Sequence, residues 1–247
     1  MFGLFKSSSV KTDLSFIGVD MHSHLLPGLD DGLKTMEDAV EYIRVLHGMG
    51  YEKLICTPHI LSDVHPNSPD SILPRLEEVR VAIAEAGIPI KIEAAAEYMI
   101  DHEFEQSIKR GDKLLTFGRN YILVEMSYLA SSPNFEQVIF DLRVLGLQPI
   151  VAHPERYNYY HHQFAQYERM RDMGCLLQVN LLSLSGYYGK PIKKIAEKLI
   201  AENMIDFIGT DMHHQNHLNA TRHFTSHKDF YKLTKGMALK NRMLLDQ

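Results

Sequence analysis

The stretch YILVEMSYLASSPNFEQVIFDLRVLGLQPIVAHPER, residues Tyr121–Arg156, decides the fold. Its two apolar runs, YILVE and QPIVA, lack the polar alternation of a half-exposed strand and read as strands buried on both faces, as in a parallel sheet. Residues 134 to 145 between them read as a helix, closed by Gly146. The second strand runs straight into a histidine, His153.

Working outward, the same kind of run recurs as FIGVD (from Phe16), KLICT (from Lys53), IKIEAAA (from Ile90), CLLQVN (from Cys175) and DFIGT (from Asp206), making seven in all. Most gaps hold a helix. In the first, Met36, Ala39, Val40, Ile43 and Leu46 repeat at helical spacing, with Thr35 and Asp38 resembling a capping box and Gly48 and Gly50 ending the run. Gly87 closes a helix near residues 71 to 86, Gly174 follows one near 164 to 173, and Pro191 opens another. The strands start roughly 27 to 37 residues apart, about the length of a βα unit, and no linker or low-complexity tract divides the chain. One α/β domain over residues 1–247 is expected, built as a closed or nearly closed TIM-like barrel. Residues 1–15 and the tail after Asn219 carry no assignable motif.

Composition narrows the partners. With 247 residues, 45% hydrophobic and 23% charged, the chain can bury a core, and its net charge of −5 offers no general attraction to nucleic acid or anionic membrane. No nucleic-acid partner is expected. The only cysteines, Cys56 and Cys175, lie in apolar stretches, as a reducing compartment tolerates, and the opening segment is too short for a signal-peptide core or a membrane span. A cytoplasmic protein without a membrane span is expected.

The residues just beyond the strands point to chemistry. His22 and His24 follow the first, His59 the second, Glu97 the third, Glu125 ends the fourth, His153 follows the fifth, and Asp211 and His213 follow the seventh. In a βα barrel these positions meet at the C-terminal mouth. A lone histidine after a strand is most often an ordinary loop residue, but six of seven strand ends carrying ligand-type side chains points to a metal centre. In LDDG, either Asp30 or Asp31 can be the ligand and the other the solvated half. The remaining histidines are expected to be structural or solvated.

These motifs, DMHSHLLPGLDDG, TPH, AAEY, LVEM, AHPER and GTDMH, together resemble the PHP (polymerase and histidinol phosphatase) superfamily, and most nearly its bacterial protein-tyrosine phosphatase branch of capsule and exopolysaccharide loci. The likeness runs in order from about Gly18 to His213. It implies a distorted (β/α)7 barrel of the PHP fold holding three divalent metal ions. The ligands it implies are His22, His24, Asp31, His59, Glu97, Glu125, His153, Asp211 and His213, with Arg156 contacting substrate. The expected catalytic set is Arg156, Glu97 and His59.

Four carboxylates against three divalent ions would leave the site positive by about two charges, which suits a phosphate dianion. Phosphate-monoester hydrolysis is among the slowest uncatalysed reactions, and metal ions lower its barrier by acidifying water and neutralising the phosphoryl oxygens. Glu97 has two oxygens with which to bridge ions, and Arg156 a bidentate fork for phosphate. Nitrogen and oxygen ligation without thiolate suits Mn, Fe or Zn, with manganese favoured. Tyr128, the tyrosines of RYNYY and those of GYYG could stack on a phenyl phosphate.

Other chemistries lack parts. Neither cysteine is followed six residues later by arginine, no glycine-rich phosphate loop ends in Lys-Ser/Thr, and SLSGYYG is not a nucleophile elbow. Amide hydrolases and deaminases also begin with HxH but commonly use a carboxylated lysine at the fourth strand, where this chain has Glu125. The expected function is dephosphorylation of tyrosine in a protein, the tail of a polysaccharide-assembly kinase. A small-molecule phosphatase of the histidinol-phosphate kind shares every ligand and is the alternative. A non-catalytic metal-stabilised module would be expected only of a degraded ligand set.

Overall fold

A computed structural model describes residues 12–247. The strands are β1 (Val19–Asp20), β2 (Lys53–Cys56), β3 (His59–Ile60), β4 (Lys91–Ala94), β5 (Glu97–Met99), β6 (Tyr121–Glu125), β7 (Gln148–Ala152), β8 (Leu176–Asn180) and β9 (Phe207–Gly209). All paired strands run parallel, in the orders β1-β2-β4 and β3-β5-β6-β7-β8-β9. The two sheets are one wall. Pro58, which has no N–H to give a ladder, separates β2 from β3, and the bonds Ala95 N to Cys56 O (2.8 Å) and Glu97 N to Pro58 O (3.1 Å) carry the pairing across the break. The described segments therefore form the seven staves expected from the sequence.

The wall closes between β1 and β9. Beyond those strands Ser23 bridges Met212 in parallel, with His24 N donating to Met212 O (3.0 Å) and Asp211 N to His22 O (2.8 Å). Lower down, Asn241 from the C-terminal tail fills the seam. Its amide donates to Val19 O (2.9 Å) and Ile208 O (2.7 Å) and accepts from Ile208 N (3.1 Å), all buried. Leaving these backbone groups unpaired costs about 1–3 kcal/mol apiece. Asn241→Leu is accordingly expected to destabilise the fold by roughly 2–5 kcal/mol, read as a lowered urea midpoint at unchanged slope.

The helices are α1 (Met36–Gly48), α2 (Pro69–Glu85), α3 (His102–Arg110), α4 (Phe135–Val144), α5 (Ala165–Asp172), α6 (Leu181–Ser185), α7 (Lys190–Ala201), α8 (Gln215–Thr225) and α9 (Lys228–Thr234). Thr35 caps α1 by accepting from Asp38 N, and α1 buries Ala39, Tyr42, Ile43 and Leu46 against the wall. In α4 the buried set is Phe135, Val138, Ile139 and Leu142; each such side chain contributes about 1.5–3 kcal/mol on burial. Gly146 follows α4 with φ 77°, a conformation that favours glycine.

Strand alternation sorts the side chains. Ile122, Val124, Val151, Leu177 and Val179 face the helices. Ile55, Leu123, Ile150, Ala152 and Phe207 fill the barrel with Leu244 from the tail. One residue pair further along the strands the interior turns polar, and there the site begins. Cys56 and Cys175 are buried, unpaired thiols, both pushed up to about 12 chiefly by burial.

Candidate metal centre

His22 and His24 leave β1 two residues apart, so both rings enter the mouth. The Nδ1 of His22 lies 2.8 Å from Gln178 Oε1, and that of His24 lies 2.7 Å from Asp30 Oδ2. Those oxygens can only accept, so each Nδ1 carries a proton, and in the neutral ring Nε2 is the atom left to present a lone pair to a metal ion. The two Nε2 atoms are 3.3 Å apart. They lie 3.1 and 3.4 Å from Glu97 Oε2, and both lie 3.4 Å from Asp211 Oδ1. His213 likewise donates from Nδ1 to its neighbour's backbone, Asp211 O, at 2.9 Å.

Glu97 sits at the centre of the cluster. Its Oε1 is 3.0 Å from His153 Nε2, and its Oε2 is 3.1 Å from His59 Nδ1. His59 Nδ1 is also 2.9 Å from Glu125 Oε1, yet it makes no directed hydrogen bond to either carboxylate. Toward solvent, Asp31 Oδ1 lies 3.4 Å from His213 Nε2 and 3.6 Å from His59 Nε2. The nine sequence-selected residues thus fall into four overlapping groups with donor atoms within 4.8 Å of one another: His24, Asp31, His59 and His213; His22, His24 and Asp211; His22, Glu97 and His153; and His59, Glu97 and Glu125.

Two of the nine sit in unusual backbone. His153 has φ 33° and Asp211 φ 51°, left-handed conformations that non-glycine residues seldom adopt. Each turns the chain at the end of its strand so that the side chain points back over the barrel. Gly209 leaves room beside them, since a Cβ there would come within 2.7 Å of His22 Cβ.

The charge balance calls for cations. Burial works to raise the Glu97 and Asp211 carboxyls, but the surrounding histidines, His22 foremost, hold both well below the ordinary carboxylate range. Burial conversely opposes protonation of His59, and Glu97 with Glu125 raises it to about 9. Anions packed this closely are stable only beside positive charge, which protons or metal ions can supply. Imidazole nitrogens with lone pairs facing inward, carboxylates and no thiolate fit a divalent transition metal.

LDDG resolves into two jobs. Asp31 is the outward member, its side chain 61% exposed at the mouth, whereas Asp30 is buried rather than solvated. Asp30 accepts from Gly32 N (2.9 Å) and His59 N (3.0 Å) besides His24 Nδ1. Carboxylates that orient a ligating histidine are worth about 10- to 100-fold in metal affinity. Asp30→Ala should weaken metal binding by about that factor, measured by competition with a chromogenic chelator.

The strand without ligand-type residues also contributes. Gln178 and Asn180 both enter the barrel from β8. Gln178 joins His22 to Asn180, and Asn180 Nδ2 donates to Asp211 Oδ2 at 2.6 Å. Two polar side chains at period two in the otherwise apolar run CLLQVN were the available signal. Asp20 seals the seam below, accepting from Thr210 N (2.9 Å) and Thr210 Oγ1 (2.5 Å).

Arg156 reaches the mouth, where Nη1 donates to Asp211 Oδ2 at 2.8 Å and its guanidinium carbon lies over the rings of Tyr128 (4.6 Å) and Tyr188 (4.4 Å). Of the other tyrosines, Tyr157 is fully buried, with Met126 N donating to its hydroxyl and the hydroxyl donating to Ala152 O, and Tyr159 donates to Ser127 O. These two support the loop and are not free to stack on a substrate. His217 is buried against Asp211 O at 3.1 Å, and burial with His214 lowers it to about 4; His65 stacks on His59 with ring centroids 5.7 Å apart.

Comparison with known proteins agrees with this architecture. Tyrosine-protein phosphatase YwqE of Bacillus subtilis is 29% identical over 217 residues, 88% of this chain and 84% of that protein. Tyrosine-protein phosphatase CpsB of Streptococcus agalactiae is 26% identical over 79% of this chain and 82% of its own length. Among solved structures, a chain from the work on YwqE of Bacillus subtilis and CpsB of Streptococcus pneumoniae, described as unique metal-dependent tyrosine phosphatases, matches with TM-score 0.78 and 26% identity, covering 92% of this chain and 94% of that one. An amidohydrolase from Mycoplasma synoviae matches at TM-score 0.50 and 9% identity over 94% of this chain and 85% of its own, a likeness of fold alone. The family model for capsular polysaccharide synthesis, CpsB/CapC, matches residues 18–241, and the chain belongs to that family.

Proposed function

We infer that the chain is a metal-dependent tyrosine-protein phosphatase of capsule or exopolysaccharide synthesis, with a phosphotyrosine protein as substrate, in our reading the tail of a polysaccharide-assembly kinase. The observation that carries this is the convergence of nine ligand-type side chains from six staves on one barrel mouth. The ligands are His22, His24, Asp31, His59, Glu97, Glu125, His153, Asp211 and His213, holding three divalent ions, manganese favoured. Bound there, such ions supply positive charge for the phosphoryl oxygens and lower the pKa of water toward neutrality.

The chain's own groups do the rest. Gln178 and Asp30 fix the tautomers of His22 and His24, so that their lone pairs face the centre. Glu97 belongs to two of the donor groups and holds their histidines in register. Arg156, kept charged by Asp211 against the opposing effect of burial, offers its remaining N–H groups to phosphate. Arg156→Ala should raise KM and cut kcat/KM by about 10- to 100-fold, the worth of a charge-assisted hydrogen bond, with metal content at the wild-type level. Loss of metal in that variant would instead make Arg156 a support for Asp211.

The exposed lip, with Asp31 at 61% and Tyr128 at 43%, favours a phosphate presented on a protein over a small molecule held in a closed pocket. The deciding experiment is turnover of a tyrosine-phosphorylated peptide beside histidinol phosphate by one metal-loaded sample. Preference for the peptide supports this reading; preference for histidinol phosphate replaces it with the small-molecule one.

A further inference from the structure

The environment of Arg156 is more specific than a phosphate-binding arginine requires. Among the described residues the one hydrogen bond of its guanidinium is Nη1 to Asp211 Oδ2, and the guanidinium carbon lies over two aromatic rings, Tyr128 at 4.6 Å and Tyr188 at 4.4 Å. Cation–π contact with two rings restricts the plane of the fork. The N–H groups not used by Asp211 remain for a ligand. The Tyr128 ring, with Arg156 on one face, is also wedged against His153 (5.7 Å) and Tyr157 (6.3 Å).

The hydroxyl of Tyr128 is the unusual group. It lies 3.4 Å from His153 Nε2, the nitrogen that faces Glu97 Oε1 at 3.0 Å. Once that lone pair is committed to a metal ion, the hydroxyl has no acceptor there, and a donor at the edge of a cationic centre needs an anionic oxygen. Arg156 delivers such an oxygen to the same place, because its guanidinium lies over the same ring. Tyr188 differs: its hydroxyl is buried without a hydrogen-bond partner, and its ring is what meets Arg156.

We propose that the Tyr128 hydroxyl is a catalytic residue that donates a hydrogen bond to the substrate phosphoryl group beside Arg156, and that Tyr188 is a positioning residue whose ring holds the guanidinium in place. This deepens the phosphatase reading and rests on it. It also predicts that the tyrosines at the mouth recognise the phosphate rather than the phenyl ring.

The test compares metal-loaded wild type with Tyr128→Phe, Tyr188→Leu and Tyr188→Phe, using a tyrosine-phosphorylated peptide for turnover and inorganic phosphate for calorimetric binding. Tyr128→Phe keeps the ring over Arg156 and removes only the hydroxyl. It should lower kcat/KM about 10- to 100-fold and weaken phosphate binding by a similar factor, since a hydrogen bond to a charged group is worth that much, with metal content unchanged. Tyr188→Leu should raise KM about tenfold by freeing the guanidinium, and Tyr188→Phe should recover most of that loss. Phosphate affinity and kcat/KM of Tyr128→Phe within twofold of wild type would overturn the first assignment. Equal KM in Tyr188→Leu and Tyr188→Phe would overturn the second. If wild type bound phosphate through Tyr128 but left the peptide intact, the hydroxyl contact would stand and the phosphatase reading would fall.

Discussion

Glu97→Gln is expected to lower kcat/KM on a phosphotyrosyl peptide by about 10³-fold or more and to lower metal content with it. The carboxylate is wholly buried and lies 3.0–3.4 Å from ring nitrogens of His153, His22, His59 and His24. Glutamine has nearly the same shape, so the barrel should fold. It brings no negative charge, however, and it replaces a carboxylate oxygen with an NH2 donor, which satisfies none of a cation's requirements. One hydrogen-bond donor to a developing oxyanion is worth about 10²–10³ in rate, and a residue shared between two donor groups governs more charge than that. Metal analysis beside turnover is the check. Activity within tenfold of wild type would remove Glu97 from the centre of the mechanism.

The second large effect concerns the leaving group. Aryl phosphates should be hydrolysed about 10²–10⁴-fold faster than alkyl phosphates under one metal condition, the range that general acid catalysis contributes where it is present. A tyrosine phenol with pKa near 10 departs with little protonation, whereas a serine alkoxide needs a proton delivered. The nine clustered side chains are turned toward one another, with the Nδ1 protons of His22, His24 and His213 given to Gln178, Asp30 and Asp211 O. Arginine does not surrender a proton at neutral pH, so Arg156 is no substitute. The Tyr128 hydroxyl is assigned to a phosphoryl oxygen beside Arg156, not to the leaving oxygen, so it steadies charge there rather than delivering a proton to an alkoxide. The measurement is a series of aryl and alkyl monoesters plotted against leaving-group pKa. A flat plot would reveal an efficient acid and remove the physical basis for tyrosine preference.

Much of the barrel was legible because its strands are short, wholly buried and separated by capped helices. YILVE and QPIVA coincide with β6 and β7 to the residue. FIGVD does not: Phe16 and Ile17 lie in a turn, with Ile17 N donating to Leu14 O at 2.9 Å, and only Val19 and Asp20 pair as strand. An apolar run cannot distinguish a buried turn from a buried strand. Closure by Asn241 was also invisible, since its bond to Val19 O spans 222 residues of sequence and rests on one asparagine in a tail without motif.

The site divides similarly. Ligand-type residues at strand ends can be found because the period of a strand and the direction of a barrel are fixed, and all nine come together in space. What escaped was the layer behind them. Asp30 and Asp31 are adjacent identical residues, and only the hydrogen bonds of Asp30 to Gly32 N and His59 N show which faces inward. The left-handed backbone at His153 and Asp211 has no glycine to announce it. Tyr128 and Tyr188, sixty residues apart in sequence, come to one guanidinium, that of Arg156, only in space.

A metal titration tests the three-ion centre most directly. Metal-free protein would be loaded stepwise with manganese, and phosphotyrosyl-peptide turnover read against bound metal per chain. Turnover should be absent without metal, rise with occupancy and level off near three ions. Turnover by metal-free protein, or full activity with one ion or fewer per chain, would contradict a centre built from all nine residues.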